Sequence, residues 1–288
     1  MDQSIPVVAK SLTAPSSLTS VTSPSCHNSL PPRVQQDWPR IALESDALRG
    51  VVTRALGLEI SSVFQPIVTP DGQVHGEEAL LRARSHGLKI SPVSVFRIAA
   101  AQGSLVAFDR LARTLHLINF ISQPHGHGQL YLNVHPRLLG EVSQHGVVFE
   151  EILHSVSWEP SQVTLEFLED DVAQGDYARL REAVNNYRRR GYGIAIDNFG
   201  GQQPNRLDNL WELAPDVVKL DRRLLLRSES SSRPHKKLEK LIDLLHELNT
   251  TVVMAGIETE TQRQLAIDSG VDLLQGYWLG EPKLAKAS

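Results

Sequence analysis

The sequence contains a single cysteine, Cys26, which excludes an internal disulfide and suits a reducing compartment. No apolar run approaches the ~20 residues that a membrane-spanning helix needs. The N-terminus lacks the apolar core of a secretion signal. The formal net charge of −4 gives no reason to expect binding to a nucleic-acid polymer. These absences predict a cytoplasmic protein with no membrane and no nucleic-acid polymer as partner.

The composition itself is that of a globular chain. Its 288 residues, 41% hydrophobic and 22% charged, suffice for one large domain or two small ones. Residues 11–33 are mostly Ser, Thr and Pro, and such a stretch buries too little apolar surface to offset the entropy of ordering it. We therefore predict a disordered tail over residues 1–45, either a spacer or a docking segment, and one barrel domain over residues 46–288.

One buried strand organises the rest of the sequence. Ile194, Ala195 and Ile196 form an apolar run typical of a strand buried on both faces. The run ends abruptly at Asp197 and Asn198. A carboxylate at the end of a buried strand is costly unless something pairs it, and a metal ion is one such partner. Asp197 is therefore expected at the centre of a site.

The remaining pattern predicts an α/β fold. A helix is expected over residues 38–56, followed by two strands, 60–68 and 74–82, that form an antiparallel hairpin around a Pro-Asp-Gly turn. Strands and helices then alternate to the C-terminus, with a flexible loop expected at 227–234. About eight strands in this order favour a TIM-like (β/α)8 barrel with one antiparallel strand over an open doubly wound sheet.

Polar residues lie near the ends of the predicted strands, where barrel enzymes build their sites. These residues are Glu78, Asn133, Glu166, Asp197, Lys219, Glu258 and Gln275. The first four are hard oxygen donors, which suit Mg²⁺ or Mn²⁺ when they converge. The charge of Lys219 suits it to orient or activate a water, or to neutralise a phosphate. No cluster of cysteine and histidine supports a structural zinc site.

The sequence also resembles the EAL domain family of cyclic-di-GMP phosphodiesterases over about residues 60–283. The resemblance rests on eight motifs: FQPI at 64–67, EALLR at 78–82, LNV at 132–134, LEFLE at 165–169, DNFG at 197–200, VKLD at 218–221, GIET at 256–259 and QGY at 275–277. A lone EAL triplet would carry no information, but eight motifs in order are specific.

The resemblance implies a barrel with one antiparallel strand and hydrolysis of cyclic-di-GMP to the linear dinucleotide by two metal ions. It implies that the first ion is held by Glu78, Asn133, Glu166 and Asp197. It implies that Lys219 holds the catalytic water and that Glu169 braces the loop after Asp197. Contacts with the dinucleotide are implied for Gln65, Arg82 and Asp221, with Gln275 and Glu258 in the outer part of the site.

Three departures from the family pattern bear on activity. Asn198 stands where the family has a second aspartate, and Ala255 stands where it has a glutamate. Losing two charges weakens the hold on a second divalent ion, so we expect one Mg²⁺ or Mn²⁺ site and doubt the second. The loop 199–205 also differs from the family, which puts a homodimer through that surface in doubt.

These departures leave three functions open for what the sequence presents as a stand-alone copy. The favoured one is a cyclic-di-GMP receptor, with turnover weak or lost, whose bound state a protein partner reads. The second is an active phosphodiesterase, and Asn198 and Ala255 decide between these two. The third is an interaction module that no longer binds the nucleotide, and Gln65, Arg82 and Asp221 separate it from the first.

Overall fold

The computed structural model describes residues 31–123, 128–135, 138, 142–168, 177–201, 207–230 and 232–285. Its strands are β1 (Leu43–Asp46), β2 (Gly50–Ala55), β3 (Leu58–Val68), β4 (Val74–Ser85), β5 (Leu88–Ile90), β6 (Gln129–Asn133), β7 (Val163–Leu168), β8 (Gly193–Phe199), β9 (Val217–Leu220), β10 (Thr251–Met254), β11 (Leu273–Leu274) and β12 (Lys283–Leu284). Its helices are α1 (Pro32–Asp37), α2 (Pro92–Ala101), α3 (Leu105–Ile121), α4 (Val142–Ser155), α5 (Tyr177–Arg189), α6 (Leu207–Leu213), α7 (Arg222–Ser230), α8 (Ser232–Glu247) and α9 (Glu260–Asp268).

Eight of the strands close into a barrel, as the sequence predicts. Their order around the barrel is β3, β4, β6, β7, β8, β9, β10, β11 and back to β3. From β4 to β11 neighbouring strands run parallel, whereas β3 is antiparallel to both β4 and β11. The expectation of a (β/α)8-type barrel with one antiparallel strand is therefore confirmed.

A small cluster of buried side chains fills the barrel interior, apart from the large core between barrel and helices. Its members are Ile67, Tyr131, Ala195, Val217, Val253 and Leu273. We call this cluster the plug. Because side chains alternate along a strand, the residues two positions nearer the barrel mouth face the same interior. The plug therefore forms the floor of whatever lies at the mouth.

The helix expected over residues 38–56 is wrong. This stretch forms β1 and β2, an antiparallel hairpin that extends the sheet beside β3. The Asp46 carboxylate accepts hydrogen bonds from the backbone N–H groups of Leu48 and Arg49, and Gly50 adopts a φ of 70°. This turn chemistry, followed by β-branched Val and Thr residues, outweighs an apolar spacing that also fits a helix.

The flexible loop expected over residues 227–234 is also wrong, because α7 and α8 cover nearly all of it in the described part. Leu225 and Leu238 are buried in the core, and their burial stabilises helices whose Ser- and Arg-rich ends suggest a loop. Most of the predicted tail lies outside the described residues. Residues 32–45, however, include α1 and most of β1, and Val34 is fully buried.

No helix in the described ranges combines the length and the apolar composition needed to cross a membrane.

Candidate functional site

The candidate site is the layer of side chains directly above the plug. On each parallel strand, the plug residue lies two positions before a residue of this layer. On β3, which is antiparallel to its neighbours, the order is reversed, and Ile67 of the plug lies two positions after Gln65. The layer thus contains Gln65, Asn133, Asp197, Lys219, Ala255 and Gln275. Glu78 and Glu166 join it because both carboxylates contact Lys219 of this layer.

Lys219 lies at the centre of this layer and is almost fully buried. Its Nζ donates to Oε2 of Glu78 and to Oε1 of Glu166, both at 2.7 Å. The lysine therefore bridges two carboxylates from β4 and β7, strands that are separated by β6 in the barrel. Such a buried charge is stable only when it is paired this closely.

The Glu78 carboxylate accepts hydrogen bonds from three side chains of the site. Its Oε1 accepts from Nδ2 of Asn133 at 2.9 Å, and its Oε2 accepts from Nε2 of Gln275 at 2.8 Å as well as from Lys219. Gln275 is also 3.5 Å from Oε1 of Gln65. Residues from β3, β4, β6 and β9, and Gln275 just after β11, are thereby joined in one network.

Burial raises the pKa of both glutamates, but their net pKa shifts have opposite signs. Burial alone raises the pKa of Glu78, but the charge of Lys219 and the hydrogen bonds it receives bring that pKa down to about 2. Burial and the neighbouring charge of Glu78 raise the pKa of Glu166, and Lys219 offsets this only in part. Lys219 itself has a raised pKa, because the nearby carboxylates outweigh its burial.

Glu78 should make stability depend on pH in a definite direction. Its folded pKa of about 2 lies below the ordinary 4.5, so its contribution is present at neutral pH and is lost as the pH falls from 4.5 toward 2. That shift corresponds to at most ~3 kcal/mol. We expect the difference in unfolding free energy between the parent and Glu78→Gln to shrink between pH 7 and pH 3.5 in urea titrations. A difference that stays constant with pH would contradict this assignment.

Asp197 and Asn198 lie at a bulge in β8. The register with β9 shifts between Ile196 and Phe199, so these two residues face one residue, Lys219, on the partner strand. Asn198 has a φ of 59°, a left-handed conformation that asparagine adopts more readily than most residues. The Asp197 side chain is half-buried, and its burial raises its pKa more than Lys219 lowers it.

The other residues predicted to contact a ligand have partners within the chain, and all of them except Gln65 lie at the rim. Asp221 accepts from Nε and Nη2 of Arg223 at 2.8 and 2.9 Å. Glu258 pairs with Nη1 of Arg222 at 2.7 Å. Arg82 is half-buried, and its Nη1 donates to the carbonyl of Leu81 at 3.0 Å. In Gln65, the Nε2 group donates to the carbonyl of Gly280 at 3.2 Å. Glu169 and most of the loop 199–205 lie outside the described residues.

The four oxygen donors expected to hold an ion fit a cation only in part. Among the described residues, no three acidic, histidine or cysteine side chains form a ready metal cage. The ammonium of Lys219 lies between two of the carboxylates instead. Nevertheless, Oε2 of Glu166 is buried without a hydrogen-bond partner in the described part. A buried carboxylate oxygen needs either a proton or a cation, and the donor set around it is of the type that hard divalent ions prefer.

Comparison with known proteins decides the family. A model of the EAL domain matches residues 51–282, which is well over half of the chain. The chain belongs to the EAL domain family. The resemblance inferred from the eight motifs is thereby confirmed, and the match begins at β2.

Two curated relatives of this EAL domain come from Pseudomonas aeruginosa. The cyclic di-GMP phosphodiesterase RocR is 28% identical over 258 residues, covering 86% of this chain and 64% of RocR. The bifunctional diguanylate cyclase/cyclic di-GMP phosphodiesterase MucR is 28% identical over 231 residues, covering 77% of this chain and 33% of MucR. The EAL domain chain therefore spans between about a third and two thirds of the length of these relatives.

Solved structures of the same fold include ligand complexes. A c-di-GMP complex of the phosphodiesterase PaMucR has a TM-score of 0.68 at 25% identity, covering 78% of this chain and 92% of the other. A complex of Klebsiella pneumoniae BlrP1 with manganese and cyclic-di-GMP has a TM-score of 0.69 at 26% identity, covering 80% of this chain and 57% of the other. These EAL structures show that the barrel described above is shared with proteins that bind a metal and the dinucleotide.

Proposed function

We propose that this EAL domain is a cyclic-di-GMP receptor in which hydrolysis is weak or absent. The observation that carries the proposal is the position of Ala255. It lies in the site layer, two residues beyond Val253 of the plug, where its methyl group offers no ligand to an ion. At the bulge, the neutral amide of Asn198 stands beside Asp197 where the family has a second carboxylate. Positions 198 and 255, both of which a second ion needs, therefore supply no carboxylate.

Retention of the rest of the site supports binding. Glu78, Asn133, Glu166 and Asp197 would hold one Mg²⁺ or Mn²⁺, which when bound neutralises phosphodiester charge and lowers the pKa of a coordinated water. Binding there requires the Lys219 ammonium to yield its place between Glu78 and Glu166, or to share it. At the mouth, the half-buried guanidinium of Arg82 is suited to a phosphodiester oxygen.

Two of the predicted ligand contacts at the rim are already paired within the chain. Asp221 and Glu258 are predicted ligand contacts, but each is paired with an arginine from the first turn of α7. Since a carboxylate has about four acceptor positions, a guanine N–H can share either carboxylate with its arginine or displace that arginine by a movement of the arginine side chain. Both arginines are partly exposed, so this movement costs little, because exposed ion pairs contribute ~1 kcal/mol or less.

A second function, active phosphodiesterase, is favoured by one observation. The lysine and three carboxylates that would position and activate a water are all present and lie in one layer. A single ion would then have to supply the effects that two ions supply in the family. Turnover under these conditions would be slow rather than zero.

The decisive experiment is calorimetric titration of cyclic-di-GMP in Mn²⁺, in Mg²⁺ and in EDTA, with chromatography of the same samples for the linear product. Tight binding without product supports the receptor, and product formation establishes the enzyme. Absence of binding under all three conditions refutes both and leaves the nucleotide-independent interaction module.

A matched pair of variants tests whether binding occurs at the mouth. Arg82→Ala is expected to weaken binding by at least ~10-fold because a charge-assisted bond to phosphate is lost. Arg84→Ala removes another arginine side chain, two residues further along β4, that is exposed. This substitution should leave the affinity for cyclic-di-GMP unchanged. Equal effects of the two substitutions would place the ligand elsewhere.

The protein partner and the cytoplasmic location stay predictions.

A further inference from the structure

In the ion pair between Asp221 and Arg223 at the rim, the arginine is the more accessible partner. Its guanidinium donates from Nε to Oδ1 of Asp221 at 2.8 Å and from Nη2 to Oδ2 at 2.9 Å, and we call these two bonds the fork. The backbone N–H of Arg223 also donates to Oδ1, at 2.8 Å. The Asp221 side chain is only 9% exposed, whereas the Arg223 side chain is 40% exposed. The carboxylate therefore lies behind the arginine that it holds.

Gly201 makes room for this guanidinium. A Cβ atom at position 201 would lie 2.5 Å from Nη2 of Arg223, 2.8 Å from Oδ2 of Asp221 and 3.1 Å from the carbonyl oxygen of Asn198. The φ of Gly201 lies outside the left-handed range, so the backbone conformation does not itself require glycine. A side chain here would displace the fork, and its absence lets the guanidinium lie against the backbone of the β8 bulge.

The fork lies at the part of the mouth where a second ion is doubted. Asn198, whose carbonyl borders the same point as the fork, is the bulge residue with a neutral amide in place of a carboxylate. Asp221 lies two residues beyond Lys219, and its backbone N–H donates to the carbonyl of Phe199 at 3.0 Å, so it continues the pairing of β8 and β9 above the site layer. A positive charge is therefore fixed beside a position that supplies too little negative charge to hold a second cation.

We propose that Arg223 takes the place of the second ion in ligand binding: its guanidinium contacts a phosphodiester oxygen, and Asp221 is the positioning residue that holds it. A guanidinium has five N–H donors, of which the fork engages two, and it forms charge-assisted hydrogen bonds with phosphate oxygens. Unlike a metal ion, it does not coordinate a water and lower its pKa. Arg223 therefore neutralises ligand charge without producing a nucleophile, as a receptor requires. The inference rests on the receptor proposed above, and it gives Asp221 a different role from the direct contact that the resemblance implies.

The test compares substitutions at two arginines of α7 by calorimetric titration of cyclic-di-GMP in Mn²⁺. Arg223→Ala is expected to weaken binding ~10-fold or more, because a charge-assisted bond to phosphate is lost. Arg227→Ala removes an exposed arginine one turn further along the helix and should leave the affinity unchanged. Arg223→Lys keeps the positive charge and should restore most of the affinity, since an ammonium also binds a phosphate oxygen. Unchanged or tighter binding in Arg223→Ala overturns the proposal, and so does a lysine variant that binds as weakly as the alanine variant.

A double-mutant cycle tests whether Asp221 acts through Arg223. Asp221→Ala should weaken binding in the parent, because the guanidinium is no longer held, but should change the affinity of Arg223→Ala by less than ~2-fold. Gly201→Ala should behave in the same way, since its Cβ displaces the fork without removing a charge. Additive effects of Asp221→Ala and Arg223→Ala would show that the carboxylate contacts the ligand itself, which overturns its positioning role. Failure of the parent to bind cyclic-di-GMP refutes the receptor together with this inference, whereas an unaffected Arg223→Ala in a parent that binds refutes the inference alone.

Discussion

Restoring both missing carboxylates, with Asn198→Asp and Ala255→Glu together, is expected to raise the rate of cyclic-di-GMP hydrolysis at least ~10²-fold, since preorganised charges commonly contribute that much. Each single change should give less, because a second divalent ion requires both charges. The rate is measured as linear dinucleotide formed in Mn²⁺. The matched control, Asn198→Asp with Ala255→Gln, adds nearly the same volume without the second charge and should stay near the parent.

We expect the structure to tolerate both substitutions. Ala255 is only partly buried, and the neighbouring Gly256 lies against the aliphatic carbons of Arg222, whose guanidinium pairs with Glu258. Position 198 has a φ of 59°, which aspartate adopts with only modest strain. If the double variant keeps the melting temperature of the parent yet shows background activity, the account of the second ion is wrong.

Replacing Lys219 with methionine is expected to lower the free energy of unfolding by ~3–5 kcal/mol at pH 7, because it leaves Glu78 and Glu166 buried without their shared cation. The loss should be smaller at pH 5, where protonation relieves the repulsion between the two carboxylates. The contribution of Glu78 and Glu166 to the stability of the variant therefore rises on acidification. In the parent, the contribution of Glu78 falls on acidification instead. Urea unfolding at both pH values measures the difference.

The control for this variant is Lys240→Met, which removes an exposed charge from α8 and should change stability by less than ~0.5 kcal/mol. Added Mn²⁺ should also restore part of the stability of Lys219→Met, since an ion replaces the lost ammonium between the carboxylates. A Lys219→Met protein as stable as the parent would show that the buried bridge contributes nothing to the fold.

The barrel was predictable from sequence because its strands are short apolar runs that end in polar residues. The hairpin of β3 and β4 follows from the Pro-Asp-Gly turn, and Asp197 marks the mouth because a charge directly after a buried strand needs a partner at that end of the strand. The same local evidence failed at residues 38–56, where Ile41, Leu48 and Val52 fit a helix as well as two strands. Only pairing with β3, a tertiary contact, decides between them.

The contacts within the site were less accessible to sequence reasoning. A motif places Lys219 near Glu78 and Glu166 but does not reveal that the lysine bridges them. It equally gives no sign that Asp221 and Glu258 are paired with Arg223 and Arg222, because rotamers depend on neighbours from other strands. The roles carried over by resemblance stay predictions.

The pairing of β3 with the last strands has a consequence for the order of folding. Gln65 lies 210 residues from Gln275, yet the two side chains meet, and β11 and β12 pair with β3. During synthesis β3 and β4 can pair early, but the other edge of the growing sheet stays open until the C-terminal residues emerge. An open edge is a template for aggregation, and the candidate site is incomplete for the same period. The mouth of the barrel is therefore completed only in the step that also covers the exposed edge.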